Sequence, residues 1–306
     1  MLKPIFNPSS FLATVFICLA LISPSVFAQW QHFTLKGGHI VIDVELNGEP
    51  ATAMLDSGAS INAISRKLIA KHGDEFKKYG RKAQVSGVYG KSKVDIYNEI
   101  PIKMFGTEMM LHDAIPSSLG GADLLLGASF FYSAIIQIDY PNSRLRRLSK
   151  KSVDLRKQAN VPMKRARGSV LPAIEVESEG KSVWLIFDTG NAGGVLLERD
   201  FANDSGWLTE STETTEELMG GAFTADLLLK FQKDKFKIGP YVLDDVPIHV
   251  LNKDNLFDIG RSGIEIQTGS RIKKGVQAKG LIGYEVLKHF VVTIDYKAFK
   301  VNLYAP

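Results

Sequence analysis

The chain has 306 residues, of which 45% are hydrophobic and 23% charged, enough apolar material for a well-buried core in more than one domain. This composition excludes an intrinsically disordered chain. The formal net charge of +4 is small for this length, so we expect no nucleic acid partner.

Residues 1–28 have the layout of a secretory signal peptide. A single charge, Lys3, precedes an apolar run over residues 11–22, and small residues then lead to Ala28, after which we expect cleavage. The run is shorter than the roughly 20 residues of a membrane span, which makes a retained anchor the less favoured alternative. The only cysteine, Cys18, lies in this segment, so the mature chain would contain no thiol. The pattern predicts a periplasmic or secreted protein.

Beyond this segment, short β-prone runs are separated by Gly, Asn and Pro turns. Residues 38–48 are typical: apolar and polar positions alternate and the run ends in Asn47-Gly48, a hairpin-turn pair. Helical periodicity is scarce. The sequence therefore predicts an all-β fold, mainly β with short helices.

Two pairs of segments repeat in the same order. Residues 54–58 (Met-Leu-Asp-Ser-Gly) match residues 186–190 (Ile-Phe-Asp-Thr-Gly). Residues 124–140 match residues 280–296, because both run from an apolar segment with Gly through a short helix to a strand ending in Ile-Asp-Tyr. Such duplication predicts two lobes related by a pseudo-twofold axis. The second half is longer, and we expect its surplus in a loop within residues 252–279.

The predicted lobes cover residues 29–148 and 168–306, joined by a basic linker at 149–167. Residues 144–167 hold ten Lys or Arg and one acidic residue, Asp154. A solvated linker is the simpler interpretation of this run. A weak contact with an anionic envelope surface is the alternative, since clustered cations gain free energy near negative charge.

Each Asp-Ser/Thr-Gly segment follows an apolar strand and places a carboxylate in a tight turn. A single copy would be an ordinary Asx-type turn. Two copies in symmetric lobes predict that Asp56 and Asp188 meet and share one proton, because two adjacent carboxylates do not both ionise easily. The ionised member could then activate a water while the protonated member supports a carbonyl oxygen, without a metal or cofactor. We expect the hydroxyls of Ser57 and Thr189 to form hydrogen bonds across the lobe boundary.

These motifs resemble those of the retropepsin-like and pepsin-like aspartic peptidases, above all exported bacterial members in which two retropepsin-type lobes are fused. The resemblance covers nearly all of the mature chain. Residues 56–60 fit the family pattern in the first lobe, and residues 188–190 fit it in the second, where Asn191 replaces the usual Ala, Ser or Thr. The resemblance implies two retropepsin-like β-barrel lobes, catalytic carboxylates at Asp56 and Asp188, and supporting turn residues at Ser57, Gly58, Thr189 and Gly190.

The resemblance also implies a β-hairpin flap that covers the cleft. Residues 85–90 lie at a suitable distance after the first motif, which makes Gly87, Tyr89 and Gly90 candidate substrate-binding residues. Tyr89 would cap a bound peptide, or would simply be a half-buried hairpin tyrosine. Residues 218–223 occupy the corresponding place in the second lobe and predict a second flap.

Other motifs have structural roles or none. Gly127 and Gly283 each precede a short helix that, by the same resemblance, packs beneath the turns. The six histidines show no metal-ligand spacing, so we expect no metal site.

The leading hypothesis is a monomeric aspartic endopeptidase with one intramolecular site, acting on exported proteins or peptides. The alternative is a catalytically silent peptide-binding or scaffolding protein, suggested by Asn191 and the glycine-rich residues 192–194. A third hypothesis, in which each lobe dimerises separately, is less simple because both half-sites lie in one chain.

Overall fold

The computed structural model of the protein describes residues 29–87, 90–208, 212–213, 217–220, 223–251 and 274–306. Strands dominate these residues and form two large curled sheets and one smaller sheet. The predicted all-β fold with two retropepsin-like lobes is therefore confirmed. The predicted signal peptide, residues 1–28, lies outside the described residues.

The first half of the chain contributes thirteen strands and two helices among the described residues. In chain order they are β1 (Gln31–His32), β2 (Thr34–Lys36), β3 (His39–Leu46), β4 (Glu49–Leu55), β5 (Asn62–Ser65), α1 (Arg66–His72), β6 (Lys77–Gly87), β7 (Gly90–Asn98), β8 (Ile100–Met104), β9 (Thr107–Leu111), β10 (Ala114–Ser117), β11 (Leu124–Leu126), α2 (Ala128–Phe131), β12 (Ile135–Asp139) and β13 (Arg144–Leu148).

The second half contributes a matching set from its own described residues. In chain order they are α3 (Leu155–Gln158), β14 (Met163–Arg165), β15 (Pro172–Ser178), β16 (Lys181–Phe187), β17 (Val195–Leu197), α4 (Arg199–Asp204), β18 (Thr212–Glu213), β19 (Glu217–Gly220), β20 (Phe223–Lys233), β21 (Phe236–Ile238), β22 (Tyr241–Leu243), β23 (Val246–Leu251), β24 (Ala278–Ile282), α5 (Tyr284–Leu287), β25 (Val291–Asp295) and β26 (Lys300–Tyr304).

The two large sheets share one topology. The first has the strand order β6-β7-β10-β5-β11-β4-β3-β8-β9, and the second has β18-β20-β23-β17-β24-β16-β15-β21-β22. Strand β4 pairs in parallel with β11, as β16 does with β24. Each of these pairs lies in the interior of its sheet, with a further strand on either side. The sequence repeat is therefore a structural repeat. It places the end of β4 and the end of β16 at equivalent points of their lobes.

Tight turns set the register of the hairpins that carry these strands. Asn47 and Gly48, between β3 and β4, have positive φ values of 51° and 82°, as a two-residue hairpin turn requires. Glu179 and Gly180 repeat this geometry between β15 and β16, with φ values of 51° and 75°. The predicted turn at Asn47-Gly48 is confirmed, and its counterpart shows the same local chemistry in the second lobe.

The smaller sheet joins the lobes. Its strand order is β1-β13-β12-β25-β26, so the central antiparallel pair takes β12 from the first half and β25 from the second. Gln137 and Thr293 face each other in that pair, and the Gln137 Nε2 donates to the Thr293 Oγ1 at 2.8 Å. One hydrophobic core continues from one lobe into the other. The two halves consequently form one packed molecule.

The predicted linker contains regular structure. Residues 149–167 include α3 and β14, and β14 pairs with β15, so the second-lobe sheet begins before the predicted boundary at residue 168. Two cations of the basic run 144–167 precede the linker, in β13, and lie on an aromatic ring: Arg144 and Arg146 stand 4.4 Å and 4.2 Å from the Trp30 ring centroid. Contact of this run with an anionic surface stays a prediction.

The longest helix among the described residues, α1, has seven residues. A bilayer-spanning helix needs about 20 residues, so none of the described helices could cross a membrane.

The loop predicted to hold the extra residues of the second half falls mainly on residues 252–273, which lie outside the described residues.

Candidate active site

The two Asp-Ser/Thr-Gly turns are built alike. Each Asp follows directly on a buried strand, and its backbone N–H continues the parallel ladder: Asp56 donates to the Leu126 carbonyl and Asp188 to the Ile282 carbonyl, both at 3.0 Å. The chain then turns tightly and leaves the sheet. Both carboxylates therefore project from the ends of equivalent strands, at the boundary between the lobes.

The glycine of each turn lies against the carboxylate of the opposite lobe. The Gly58 N–H donates to the Asp188 Oδ1 at 3.1 Å. A Cβ atom added to Gly58 would stand 2.4 Å from the Asp188 Cγ, and one added to Gly190 would stand 2.5 Å from the Asp56 Cγ. Both distances are far below van der Waals contact, so only glycine allows the two carboxyl groups to approach each other.

The hydroxyl residues of the turns bind one another across the boundary. The Ser57 N–H donates to the Thr189 Oγ1 at 3.0 Å, and the Thr189 N–H donates to the Ser57 Oγ at 2.8 Å. The Ser57 hydroxyl in turn donates to the Phe187 carbonyl at 3.0 Å. Ser57 and Thr189 are both fully buried. This reciprocal set of bonds fixes the two turns in register.

Replacing Ser57 with Ala is expected to lower the free energy of unfolding by about 2–5 kcal/mol, because the Thr189 N–H and the Phe187 carbonyl would each lose a buried partner. Denaturant unfolding of the purified protein measures this change. Ser57→Thr is the matched control, since it keeps a hydroxyl as Thr189 does. Equal stability of the Ala and Thr variants would contradict the assigned role of the hydroxyl.

The pKa values of both carboxyl groups are raised. Burial, and after it the charge of Asp56, raises the pKa of Asp188 well above its usual range. Burial also raises the pKa of Asp56, although the Ala59 N–H, the Asp188 carboxyl group and the charge of His39 all favour its ionised form. Asp188 is 8% exposed and Asp56 is partly buried. The two groups act on each other, so the pair as a unit retains one proton at pH values where an isolated Asp is ionised.

Comparison with known families agrees with this geometry. Residues 42–133 match a family described as gag-polyprotein putative aspartyl protease. Residues 174–286 match a family described as Aspartyl protease. The chain is similar to aspartyl proteases in both halves.

Comparison with individual proteins finds a similar solved structure and no curated protein. No curated protein matches the chain. Among solved structures, the chain is similar to the protease of Simian Foamy Virus (mac), determined in solution, with 19% sequence identity and a TM-score of 0.24. The match covers 29% of this chain and 88% of the viral protein.

Asn191, where the second motif departs from the usual pattern, keeps a backbone hydrogen bond that Ala59 makes in the first half. The Asn191 carbonyl accepts from the Tyr284 N–H at 2.8 Å, as the Ala59 carbonyl accepts from the Ala128 N–H at 2.8 Å in the first half. The Asn191 side chain bonds within its own loop, where its Oδ1 accepts from the Gly193 N–H at 3.0 Å. Asn191 therefore closes a longer glycine-rich loop, and the Asp188 carboxylate keeps a position equivalent to that of Asp56.

The glycines before the short helices allow those helices to pack beneath the turns. A Cβ atom on Gly127 would stand 2.2 Å from the Ile61 carbonyl oxygen, and one on Gly283 would stand 2.3 Å from the Asn191 carbonyl oxygen. Helices α2 and α5 begin immediately after them. The structural role predicted for Gly127 and Gly283 is what the packing requires.

The predicted flap is a β-hairpin of β6 and β7, whose last described pair is Gly87 with Gly90. Tyr89, the candidate cap of a bound peptide, lies outside the described residues. The second lobe has an equivalent hairpin, because β19 pairs with β20 up to Gly220 and Phe223. Each lobe therefore carries a hairpin in the position predicted for a flap.

Sequence reasoning did not assign a role to Tyr296, although this residue ends the second repeated segment. Its hydroxyl donates to the Ser57 carbonyl oxygen at 2.9 Å. The counterpart in the first repeat, Tyr140, is also buried. The repeated Ile-Asp-Tyr ending was the signal that marked both residues.

Among the described residues, no group of three or more His, Cys, Asp or Glu side chains could hold a metal ion.

Proposed function

We propose that this protein is an aspartic endopeptidase that hydrolyses peptide bonds with a water activated by Asp56 and Asp188. One observation carries the proposal: two carboxylates of different lobes, each packed against the glycine of the opposite turn, with the pKa of Asp188 raised well above its usual range. Similarity of both halves to aspartyl proteases supports it.

In this proposal the two carboxyl groups take different roles, one ionised and one protonated. With Asp56 as the ionised member, its carboxylate accepts a proton from the water while the water oxygen bonds to the carbonyl carbon. Asp188 gives its proton to the carbonyl oxygen, so a neutral diol forms. The diol then returns a proton to Asp188, Asp56 passes its proton to the amine nitrogen, and the C–N bond breaks. Both carboxyl groups end in their initial states.

Backbone donors keep Asp188 oriented for this role. Its Oδ1 accepts from the Gly58 N–H at 3.1 Å and from the Gly190 N–H at 2.8 Å. Two N–H groups on one oxygen favour the proton on the other oxygen, Oδ2. We infer that Oδ2 faces the substrate, which would lie extended between the hairpins β6–β7 and β19–β20.

The proposed setting is outside the cytoplasm. It depends on the predicted cleavage of residues 1–28, and the proposed substrates are exported proteins or peptides. The protein would act as a monomer, because both carboxylates of the pair belong to one chain.

We expect hydrolysis of a denatured protein with a bell-shaped pH profile between pH 3 and 8, because the activity needs one shared proton. A peptide analogue with a hydroxyl group in place of the scissile carbonyl should inhibit it, since that hydroxyl would occupy the place of the water. Mass spectrometry of the products measures both effects, and the same preparation of Asp56→Asn controls for contaminating peptidases. Cleavage that the analogue does not reduce would contradict the proposal.

A further inference from the structure

Tyr296 reaches from the second half of the chain to the catalytic turn of the first. It follows β25 in the sheet that joins the lobes and is fully buried. Its ring stacks on Phe131 with centroids 5.0 Å apart and meets Tyr132 edge-on at 5.7 Å. Two first-half rings therefore fix the direction of the Tyr296 ring, and its hydroxyl donates to the Ser57 carbonyl oxygen at 2.9 Å.

The Ser57 carbonyl shares a peptide plane with the Gly58 N–H. Because the peptide unit is rigid, a hydrogen bond that holds its oxygen also sets the direction of its N–H. The Gly58 N–H donates to the Asp188 Oδ1 at 3.1 Å. A continuous chain of hydrogen bonds thus runs from the Tyr296 hydroxyl through the Ser57–Gly58 peptide to the Asp188 carboxyl group. Bonds in such a chain polarise and strengthen one another.

Tyr140, the counterpart of Tyr296, takes no part in such a chain. It is 5% exposed, and its ring lies 6.0 Å from that of Tyr284 and 6.2 Å from that of Phe33. Its hydroxyl has no hydrogen-bond partner among the residues that the structure describes. Two buried tyrosines at equivalent sequence positions therefore differ in whether the hydroxyl holds one of the two turns.

We propose that Tyr296 is a positioning residue for the carboxyl pair, because its hydroxyl holds the Ser57–Gly58 peptide so that the Gly58 N–H is directed at Asp188. The inference rests on the proposed function and adds a residue to it. Burial raises the pKa of Tyr296 well above its ordinary range, so the hydroxyl stays protonated and remains a donor at every pH of the proposed activity.

Loss of the Tyr296 hydroxyl should change the titration of Asp188. The Gly58 N–H stabilises the ionised form of Asp188 and lowers its pKa, so a misdirected N–H would raise that pKa. Among the described residues, the titratable groups that act on the pair are Tyr140, which interacts with Asp188, Tyr296, which interacts with both carboxyl groups, and His39, which interacts with Asp56. Of these groups, only Tyr296 is altered in the Tyr296→Phe variant.

The first test compares Tyr296→Phe with Tyr140→Phe, a matched pair in which each variant loses one buried hydroxyl. We expect Tyr296→Phe to lower kcat by about tenfold to a hundredfold with little change in KM, since small misplacements of catalytic groups cost this much. The alkaline limb of its pH profile should move to higher pH. Tyr140→Phe should stay within about twofold of the unsubstituted protein. Equal profiles for the two variants would overturn the inference.

The second test does not require activity. With ¹³C-labelled aspartate, the carboxyl resonance of Asp188 should titrate at higher pH in Tyr296→Phe than in Tyr140→Phe. A lower melting temperature of Tyr296→Phe with an unchanged Asp188 titration would show a purely structural role and overturn the inference. A protein that hydrolyses nothing but shows the expected titration difference would contradict the proposed function and support the positioning role.

Discussion

Asp56→Asn and Asp188→Asn are each expected to lower kcat by at least about a thousandfold, since loss of a member of a catalytic set has effects of this size. An amide in place of Asp56 cannot accept the proton of the water. An amide in place of Asp188 has no carboxylic proton to give to the carbonyl oxygen. Each substitution keeps the size of the side chain and an acceptor oxygen for the neighbouring N–H groups. Activity should therefore be lost while the fold is retained.

Initial rates of cleavage of a denatured protein, measured at several values of pH between 3 and 8, decide this prediction. Asp43→Asn is the matched control, because Asp43 is an exposed carboxylate of β3 in the same lobe as Asp56. The control should keep activity within about twofold of the unsubstituted protein. Full activity in either active-site variant would exclude the carboxyl pair as the catalytic group.

The same measurements separate the endopeptidase from a catalytically silent peptide-binding protein. A silent protein would bind an extended peptide analogue and yield no products at any pH, even without substitution. Asn191 suggested that alternative, because it departs from the usual residue beside the second motif. Its side chain bonds within its own loop, however, and its carbonyl accepts a hydrogen bond from the following short helix as the Ala59 carbonyl does in the first lobe. Asp188 therefore keeps its place at the end of β16 with Asn191 in the following loop.

The fold and the pairing of the two turns could be predicted from the sequence because both follow from repetition. Two copies of one pattern need two copies of one topology, and the described strands supply them in the same order. The apolar residues before Asp56 and Asp188 indicated buried strands, and β4 and β16 are indeed the strands that carry them. Local chemistry was sufficient at these positions.

Features that depend on contacts between distant residues could not be predicted in this way. The linker was assigned to residues 149–167 on charge alone, but three residues of it, β14, pair with β15 and continue the second-lobe sheet. The bond between Tyr296 and Ser57 joins positions 239 residues apart and depends on the pairing of β12 with β25. Neither charge nor periodicity reports such a pairing.

Asp188→Asn is also expected to make the folded protein more stable near neutral pH. The pKa of Asp188 is raised well above the value of about 3.9 that an unfolded chain would show. Between these two pKa values the folded state holds a proton that the unfolded state has released. The free energy of unfolding therefore falls as the pH rises through this window, and the loss is complete above the folded pKa.

An amide at position 188 removes this penalty because it does not titrate. Its Oδ1 can still accept from Gly58 and Gly190, and its Nδ2 can donate to the Asp56 carboxylate without charge repulsion. At pH 4 the native carboxyl group is protonated in the folded state and about half protonated in the unfolded state, so the two proteins should differ little in stability. Near pH 7 the variant should melt at a temperature higher by at least about 2 °C.

Thermal unfolding of both proteins at pH 4 and at pH 7 measures the difference and its dependence on pH. Asp43→Asn again serves as the control, and its small effect should be the same at both pH values because Asp43 is exposed. A stability difference between Asp188→Asn and the unsubstituted protein that does not grow with pH would show that Asp188 carries no excess proton in the folded state. Greater stability of an inactive variant is the expected sign of a catalytic pair, because the proximity that destabilises two carboxylates is the same proximity that allows them to share a proton.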